Sequence, residues 1–419
     1  MREKISAIVL AAGKGKRMRS SFPKVLQDLK GRPLIWYVLK NLTSLKYINQ
    51  IIVVLGYRAK DVQEQVNKEF KGIEFVCQKE ILGTAHAVKC TKRIVKNKNV
   101  LVICADTPLI TKNTLYKFVS SFLKSKSICS LIVAYQKEKT DLGRIVRDRE
   151  GKIMAIKEKI ELKGKENFRE INSGIYCFKK ELLFENLDKI KKNKRKKEYF
   201  LTQIIEIFYR QGYKIDTYLL DDEKEILGVN TKRDLLKVEK ILQERICGKF
   251  IEKGVKIVDP QTTFINEEVK IGKDTTIFPF TFIEKDVIIG NNCLIGPFIH
   301  LREGTKIEDN TNLGNFLEIC RSRIGKEVKI KHFGYIGDTT VEDKVNIGAG
   351  VVVANFDGKK KNKTYIKEGA FIGSDTILIA PVKVEKQSIT GAGSVVTKNV
   401  APFKVVVGVP ARALRKVEK

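Results

Sequence analysis

Three constellations in this 419-residue chain could do chemistry. The first is the glycine-rich run Leu10-Ala11-Ala12-Gly13-Lys14-Gly15-Lys16-Arg17-Met18, which comes directly after an apolar stretch. Two glycines let a backbone approach a phosphate closely. The N–H groups and helix start beyond them favour anions, and Lys14, Lys16 and Arg17 add positive charge. By itself such a run is equally a tight turn between a strand and a helix. The second is Asp106, just after the apolar run Val100–Cys104. Open α/β sheets place ligands at the C-terminal ends of their strands, although a carboxylate there can also be a plain turn cap. The third is His332, in Lys331-His332-Phe333-Gly334-Tyr335-Ile336-Gly337-Asp338, one of three histidines. A positioned imidazole can take a proton in acyl transfer, and a lone histidine can also be structural.

Residues 1–228 alternate short apolar runs with amphipathic stretches. Ile5–Ala11, Ile51–Leu55, Val100–Cys104, Ser130–Tyr135 and Ile175–Phe178 read as strands. Trp36–Leu42, Ala59–Phe70, His86–Ile94, Thr114–Leu123 and Leu201–Gln211 read as helices. This alternation predicts a Rossmann-like α/β domain with a mostly parallel sheet. Residues 229–250 read as one connecting helix with Leu235, Leu236, Val238, Ile241 and Leu242 on its apolar side.

From 251 to 419 the period changes. Ile265, Ile271, Ile277, Ile283, Ile289, Ile295, Leu301, Ile307, Leu313 and Ile319 recur every six residues without a miss. After two five-residue steps the ladder continues through Ile324, Ile330, Ile336, Val341, Ile347 and Val353, and it resumes at Ile366. Six-residue rungs with an inward aliphatic predict a parallel β-helix of about 18 residues per coil. Residues 354–365 are polar and break the ladder, so they predict a loop extruded from it.

Lys+Arg number 80 against 49 Asp+Glu, a formal charge of +31, and 43% of residues are hydrophobic. This is a globular composition, which excludes a wholly disordered chain. No apolar run approaches the ~20 residues of a membrane helix, so no membrane partner is expected. Met1–Lys4 followed by Ile5–Ala12 mimics a signal peptide but runs into the glycine loop with no cleavage site, which predicts a buried strand and a cytoplasmic protein. Eight scattered cysteines without a C-x-x-C fit reduced core residues rather than a zinc site. The lysines are spread along the chain, and the densest run, Lys191–Lys197, has no interleaved aromatics. The charge therefore points to phosphorylated small substrates and solvated surface, not to nucleic acid.

The order of strand, glycine loop, Arg17 and Pro23-Lys24 resembles the signature of the sugar-1-phosphate nucleotidyltransferases, and fits neither a dinucleotide G-x-G-x-x-G nor a Walker loop. The match continues through Gln78, Leu82-Gly83-Thr84-Ala85-His86-Ala87, Cys104-Ala105-Asp106-Thr107-Pro108-Leu109, Gly143-Arg144-Ile145, Glu158, Glu170-Ile171-Asn172-Ser173-Gly174, Glu198-Tyr199-Phe200-Leu201-Thr202 and Gly228-Val229-Asn230. With the repeats, the chain resembles the bifunctional N-acetylglucosamine-1-phosphate uridyltransferase/glucosamine-1-phosphate acetyltransferases over roughly residues 5–400.

The resemblance implies a left-handed β-helix, a homotrimer, Mg²⁺ as cofactor, and UTP and acetyl-CoA as substrates. It implies that Leu10, Ala11, Ala12, Gly13, Gly83 and Thr84 line base and ribose. The Gln78 amide matches the N3–H and a carbonyl of uracil. Arg17 and Lys24 neutralise phosphate charge, Asp106 and Asn230 hold the metal, and Gly143, Glu158 and Asn172 hold the amino-sugar. In the repeats it implies His332 as catalytic base, Arg302 on the sugar phosphate, and Tyr335, Asn346, Asn355 and Phe356 on the sugar. Ala349, Ser374, Ala392 and Arg412 would lie along coenzyme A.

The chain departs from the family at several of these positions. Lys16 and Cys104-Ala105 stand where the family has Thr or Ser and Tyr-Gly, and the Ala105 methyl could crowd the sugar. Phe356 replaces a Tyr. Cys320 stands where the family has the Lys that grips the sugar phosphate with Arg302; Arg321 is adjacent, but neighbours on a strand point opposite ways. Two other readings stay open. One is a nucleotidyltransferase whose β-helix is only a trimerisation scaffold, which Cys320 favours and His332 opposes. The other is a non-catalytic binding protein, which the set of Lys24, Asp106 and Asn230 opposes.

Overall fold

The computed structural model describes residues 3–135, 141–162 and 168–417, and Met1 and Arg2 of the charged N-terminal stretch lie outside them. The chain divides into two compact units, Met1–Glu239 and Lys240–Lys419. The division falls inside the helix Lys232–Ile251. Val238, Ile241 and Leu242 on this helix are buried, but Leu236, expected on the same side, is 60% exposed. At about 100° per residue, two positions from Val238 put it on the opposite face.

The first unit is built on a sheet whose strands run Ile215–Leu220, Cys129–Tyr135, Glu170–Lys179, Asn99–Cys104, Ile5–Leu10, Ile48–Leu55, Ile73–Cys77 from edge to edge. All neighbours are parallel except Glu170–Lys179, which is antiparallel to both of its partners. A hairpin of Arg144–Arg147 and Ile153–Lys157 attaches to that strand. Alternate residues of each central strand face opposite sides, so two cores form. One packs Ala7, Val9, Val53 and Ile103 against the helices Leu34–Thr43, Ala59–Glu69 and Lys112–Lys124. The other packs Ile8, Ile52, Val54 and Val102 against Thr84–Lys89, Lys180–Asn186 and Gln203–Arg210. The strands Ile5–Leu10 and Asn99–Cys104 are paired and parallel, with Leu10 opposite Cys104. The glycine loop and Asp106 therefore leave the sheet side by side, at the C-terminal ends of two central strands.

The second unit is a coil of short strands stacked in three parallel ladders. Ile265 pairs with Ile283, Ile283 with Leu301, Leu301 with Ile319 and Ile319 with Ile336, so each turn of the coil takes 18 residues or, after a five-residue step, 17. Nine of the ten regularly spaced aliphatics are buried, and Ile271 is half-buried. A second inward position lies two residues before each of them: Thr263, Val269, Thr275, Thr281, Val287, Cys293, Ile299, Thr305, Thr311 and Leu317 are all buried. Buried hydroxyls there find carbonyls, as Thr275 Oγ1 does with Gly290 O at 2.8 Å and Thr311 Oγ1 with Gly325 O at 2.8 Å. The interruption is extruded as expected. Val341 pairs with Ile366, 25 residues on, and Phe356 and Lys361 bridge across the loop.

Glycines after the inward aliphatics sit where successive coils touch. A Cβ on Gly314 would lie 1.8 Å from the Lys331 carbonyl oxygen. Gly314→Ala should therefore force the coil apart beside His332 and destabilise the second unit by roughly 1–3 kcal/mol, the usual cost of overpacking. Calorimetric unfolding would read this as a lower transition temperature, with an unchanged transition counting against the stacking argument.

Candidate functional site

In the first unit, residues from three distant segments meet at the C-terminal ends of the central strands. After Leu10 the loop turns at Gly15, whose φ of +64° suits glycine, and a Cβ there would lie 2.6 Å from Lys24 Cβ. The chain then makes a single 3₁₀ turn, Lys16–Met18, rather than the helix start expected from the sequence. A second short turn, Lys24–Leu26, presents Lys24. Val229 N donates to the Asp106 carbonyl at 2.9 Å, which brings Asn230 beside the Asp106 side chain. The Lys24 ammonium donates to Asp106 Oδ2 and, at 3.1 Å, to Asn230 Oδ1. Both partners of the ion pair are largely buried, their side chains 13% and 17% exposed. Two hard oxygen donors thus converge on one cation, the ammonium itself, and this donor set suits Mg²⁺, which takes few protein oxygens and keeps water and phosphate ligands.

Arg17 does not join this cluster. Its guanidinium donates to Asp141 at 3.1 Å, with both side chains more than half exposed. Lys159 and Arg17 hold the Asp141 carboxyl below its ordinary range.

Gln78 is buried next to the strand Ile73–Cys77. Its Nε2 bonds Gly83 O at 3.1 Å and His86 Nδ1 at 2.9 Å. Both donor hydrogens are thereby used, and Oε1 has no partner among the described residues. The side chain is left with an acceptor only, half of the donor–acceptor pair expected for it. Gly83 has φ +101°, and a Cβ would lie 2.6 Å from Tyr199 O. Thr84 Oγ1 accepts from Leu201 N at 2.9 Å. Ala105 is fully buried in the core, so its methyl does not face a ligand, contrary to the crowding expected from the departure there. Burial pushes the neighbouring Cys104 thiol up to about 12, which removes it as a nucleophile.

Asn172 N donates to Gly143 O at 2.9 Å. The Asn172 side chain is turned inward, its Nδ2 on Tyr176 OH at 2.7 Å and its Oδ1 accepting from Gly174 N at 3.2 Å. Glu158 accepts from Thr202 Oγ1 at 2.9 Å, and burial raises its carboxyl above the usual range. Thr202, which bonds Glu158, has no role assigned from the sequence, and His86, which the sequence places as packing behind the nucleotide loop, bonds Gln78. Their only signal there is membership of the quoted motifs.

In the second unit, one corner of the coil forms a column. Gly350 N bonds Phe333 O at 2.8 Å, Asp375 N bonds Ala349 O at 2.6 Å, and Gly393 N bonds Ser374 O at 2.8 Å. His332, Ala349, Ser374 and Ala392 thus occupy matching positions on successive coils. At about 4.8 Å per coil the column spans roughly 14 Å. Its small side chains leave room for a long, thin ligand leading to the imidazole. His332, Asn346, Ala349 and Ser374 line one groove of about 630 Å³, together with Lys329, Lys331 and Lys344, to which the sequence assigns no role. Those lysines occupy the polar positions of the repeat, where one lysine looks like any other. Arg412 opens the exposed terminal strand Arg412–Lys416.

The other assigned residues form a second cluster. Tyr335 OH lies 3.3 Å from Cys320 Sγ and 3.4 Å from Asn355 Nδ2, and burial raises its hydroxyl. Asn355 Nδ2 donates to Asp338. Arg321 reaches the same carboxylate with two bonds, at 2.7 and 2.8 Å. Its φ of +46° turns the chain at a corner, so Arg321 does not simply point opposite to Cys320 as in a flat strand. Arg302 pairs with Glu318 at 2.8 Å. Phe356 is 60% exposed on the extruded loop. His300 bonds Glu284 at 2.9 Å and packs edge-on against Phe282, a structural setting.

Known proteins resemble the chain in both units. Residues 6–243 match the nucleotidyl transferase family, residues 268–298 and 286–321 the bacterial transferase hexapeptide repeat, and residues 364–398 the hexapeptide repeat of succinyl-transferase. The bifunctional protein GlmU of Thermosipho africanus is 39% identical, covering 94% of this chain and 93% of its own length. That of Heliobacterium modesticaldum is 38% identical, covering 95% and 94%.

Proposed function

The chain belongs to the GlmU family of bifunctional proteins, a family of transferases, and from that premise we propose that it acetylates glucosamine-1-phosphate with acetyl-CoA and then couples the N-acetylglucosamine-1-phosphate to UTP. The observation that supports this is a separate cluster of candidate residues in each unit: Lys24, Asp106 and Asn230 in the first, and the His332 column in the second.

For uridyl transfer, an oxygen of the sugar phosphate attacks the α-phosphorus of UTP and pyrophosphate leaves. The nucleophile is already an anion, so the protein's part is alignment and charge neutralisation. Lys24 supplies a fixed cation, and Gln78 Oε1 accepts from the uracil N3–H. Glu158, Asn172 and Gly143 border the amino-sugar. Asp106 and Asn230 would hold Mg²⁺, which when bound supplies Lewis-acid neutralisation of phosphate charge.

For acetyl transfer, the amine nitrogen attacks the thioester carbonyl and the coenzyme A thiolate leaves. His332 accepts the amine proton as the C–N bond forms. Tyr335, Asn346, Asn355 and Phe356 hold the acceptor, and the column of Ala349, Ser374 and Ala392 leads the coenzyme's arm toward Arg412. A homotrimer fits the exposed, stacked Phe280, Phe298 and Phe316, whose ring centroids lie 4.7 and 5.0 Å apart, because association would cover this apolar strip. The cytoplasm fits eight cysteines that form no disulfide. Among the described residues no helix is long and apolar enough to cross a membrane.

The test incubates the protein with glucosamine-1-phosphate, acetyl-CoA, UTP and Mg²⁺ and measures thiol and pyrophosphate separately. Both should appear, pyrophosphate after a lag that added N-acetylglucosamine-1-phosphate abolishes. Pyrophosphate without any thiol would leave the repeats a scaffold.

A further inference from the structure

Uracil and cytosine differ on the Watson–Crick edge, which proteins read by hydrogen bonds. Uracil N3 carries a hydrogen, and cytosine N3 is a bare acceptor. A glutamine amide tells them apart only if its two ends are held in place, because a half-turn about its last bond exchanges acceptor for donor. Whatever fixes the Gln78 amide therefore fixes the choice of base.

Gln78 is buried directly after the strand Ile73–Cys77, and its backbone N–H donates to Leu55 O at 2.7 Å. Two acceptors flank its Nε2, Gly83 O at 3.1 Å and His86 Nδ1 at 2.9 Å. Both acceptors are themselves held. Tyr199 N donates to Leu82 O at 2.7 Å and Ala85 N to Tyr199 O at 3.0 Å, which ties down the chain on either side of Gly83. His86 lies on the helix Thr84–Lys89, and its carbonyl accepts from Cys90 N at 3.1 Å. A carbonyl can only accept, so the amide end beside Gly83 O is the NH₂ group. Its second hydrogen falls on His86, whose Nδ1 must accept and whose ring proton must then sit on Nε2. Turning the amide over would set Oε1 against a carbonyl oxygen and a ring lone pair at once.

We propose that His86 is a positioning residue for nucleotide selection. Together with Gly83 O it holds the Gln78 amide with Oε1 toward the base, so that the site takes a nucleoside triphosphate of the uracil type, with hydrogen on N3, and refuses the cytosine type. The proposal rests on the reading of Gln78 as the residue that meets the base. His86 takes no part in the bond exchange and acts through Gln78 alone. Among the described residues its ring makes no second hydrogen bond, so removing the ring leaves only the amide short of a partner.

The test compares two full-length variants, His86→Leu, which removes the acceptor, and His86→Asn, whose Oδ1 can stand where Nδ1 stood. Pyrophosphate release from N-acetylglucosamine-1-phosphate is measured with UTP and with CTP. His86→Leu should lower the ratio of kcat/KM for UTP over that for CTP by roughly 3–10-fold, the factor of one net hydrogen bond. The change should fall on KM, higher for UTP and lower for CTP, with kcat for UTP near the wild type. His86→Asn should recover most of the ratio. A helix that merely packs worse would slow both nucleotides alike. An unchanged ratio in His86→Leu, or a loss that His86→Asn does not recover, overturns the proposal. Nitrogen-15 spectra of the imidazoles give a reading without catalysis, because with three histidines in the chain the His86 signal is assigned by its loss in the variant. The neutral ring should carry its proton on Nε2, and the opposite tautomer overturns the proposal. A wild type that uses CTP as well as UTP would instead sink the reading of Gln78, and the proposal with it. Should neither nucleotide react, the uridyl-transfer reading fails on its own. The ratio of UTP to CTP affinity, taken by calorimetry on the same variants, then decides with the same outcomes.

Discussion

Asp106→Ala is expected to lower pyrophosphate release on the order of 10³-fold, the scale of removing a pre-positioned group that stabilises transition-state charge. Among the described residues, Asp106 is the one carboxylate bonded to Lys24. Asn230 is neutral, and Lys24 would lose its ion pair and keep only the bond to Asn230. The backbone bond from Val229 N to the carbonyl of residue 106 does not need the carboxylate, so Asn230 should stay in place and the fold should persist. Thiol release should be untouched, because the column around His332 lies in the other compact unit. The measurements are both product releases on one preparation, with its unfolding temperature. Loss of both activities in a folded variant would refute the assignment of two independent sites.

The architecture is legible in the sequence wherever burial is one-sided and periodic. Ten aliphatics at a fixed spacing leave a coil of short rungs as the economical solution, and the stacked ladders track that spacing residue by residue. The second inward position is not legible, because threonine, valine, cysteine, isoleucine and leucine all fill it, and the period of six then shows only in their size and burial. In the first unit the central strands announce themselves as apolar runs. The edge strands Ile73–Cys77 and Ile215–Leu220 do not, since they are mostly half-buried and carry Glu74 and Asp216 among their apolar residues. The reversed direction of Glu170–Lys179 is likewise silent, because local pattern records which residues are buried and not which way the chain runs.

The sites divide along the same line. The family resemblance groups Lys24, Asp106 and Asn230, and the three converge in the structure. Contacts set by tertiary placement are beyond its reach. Arg17 is drawn to Asp141, 124 residues away, and leaves the cluster to which its motif assigns it. Arg321 reaches Asp338 from a left-handed backbone at a corner, a local turn that a strand-like reading of neighbours leaves open but does not show.

His332→Ala should lower acetyl transfer by roughly 10²–10⁴-fold, the contribution of a positioned general base, while uridyl transfer from N-acetylglucosamine-1-phosphate continues at the wild-type rate. The side chain is exposed at a corner of the coil, and its backbone neighbour Phe333 keeps its bond to Gly350 whatever residue stands at 332. Removing the imidazole therefore leaves no buried partner unsatisfied, and the unfolding temperature should not move. That separates the catalytic reading from a structural one, in which stability would fall and rate would fall with it. A variant with normal stability and an unaltered rate would remove His332 from the chemistry and leave its groove a binding surface.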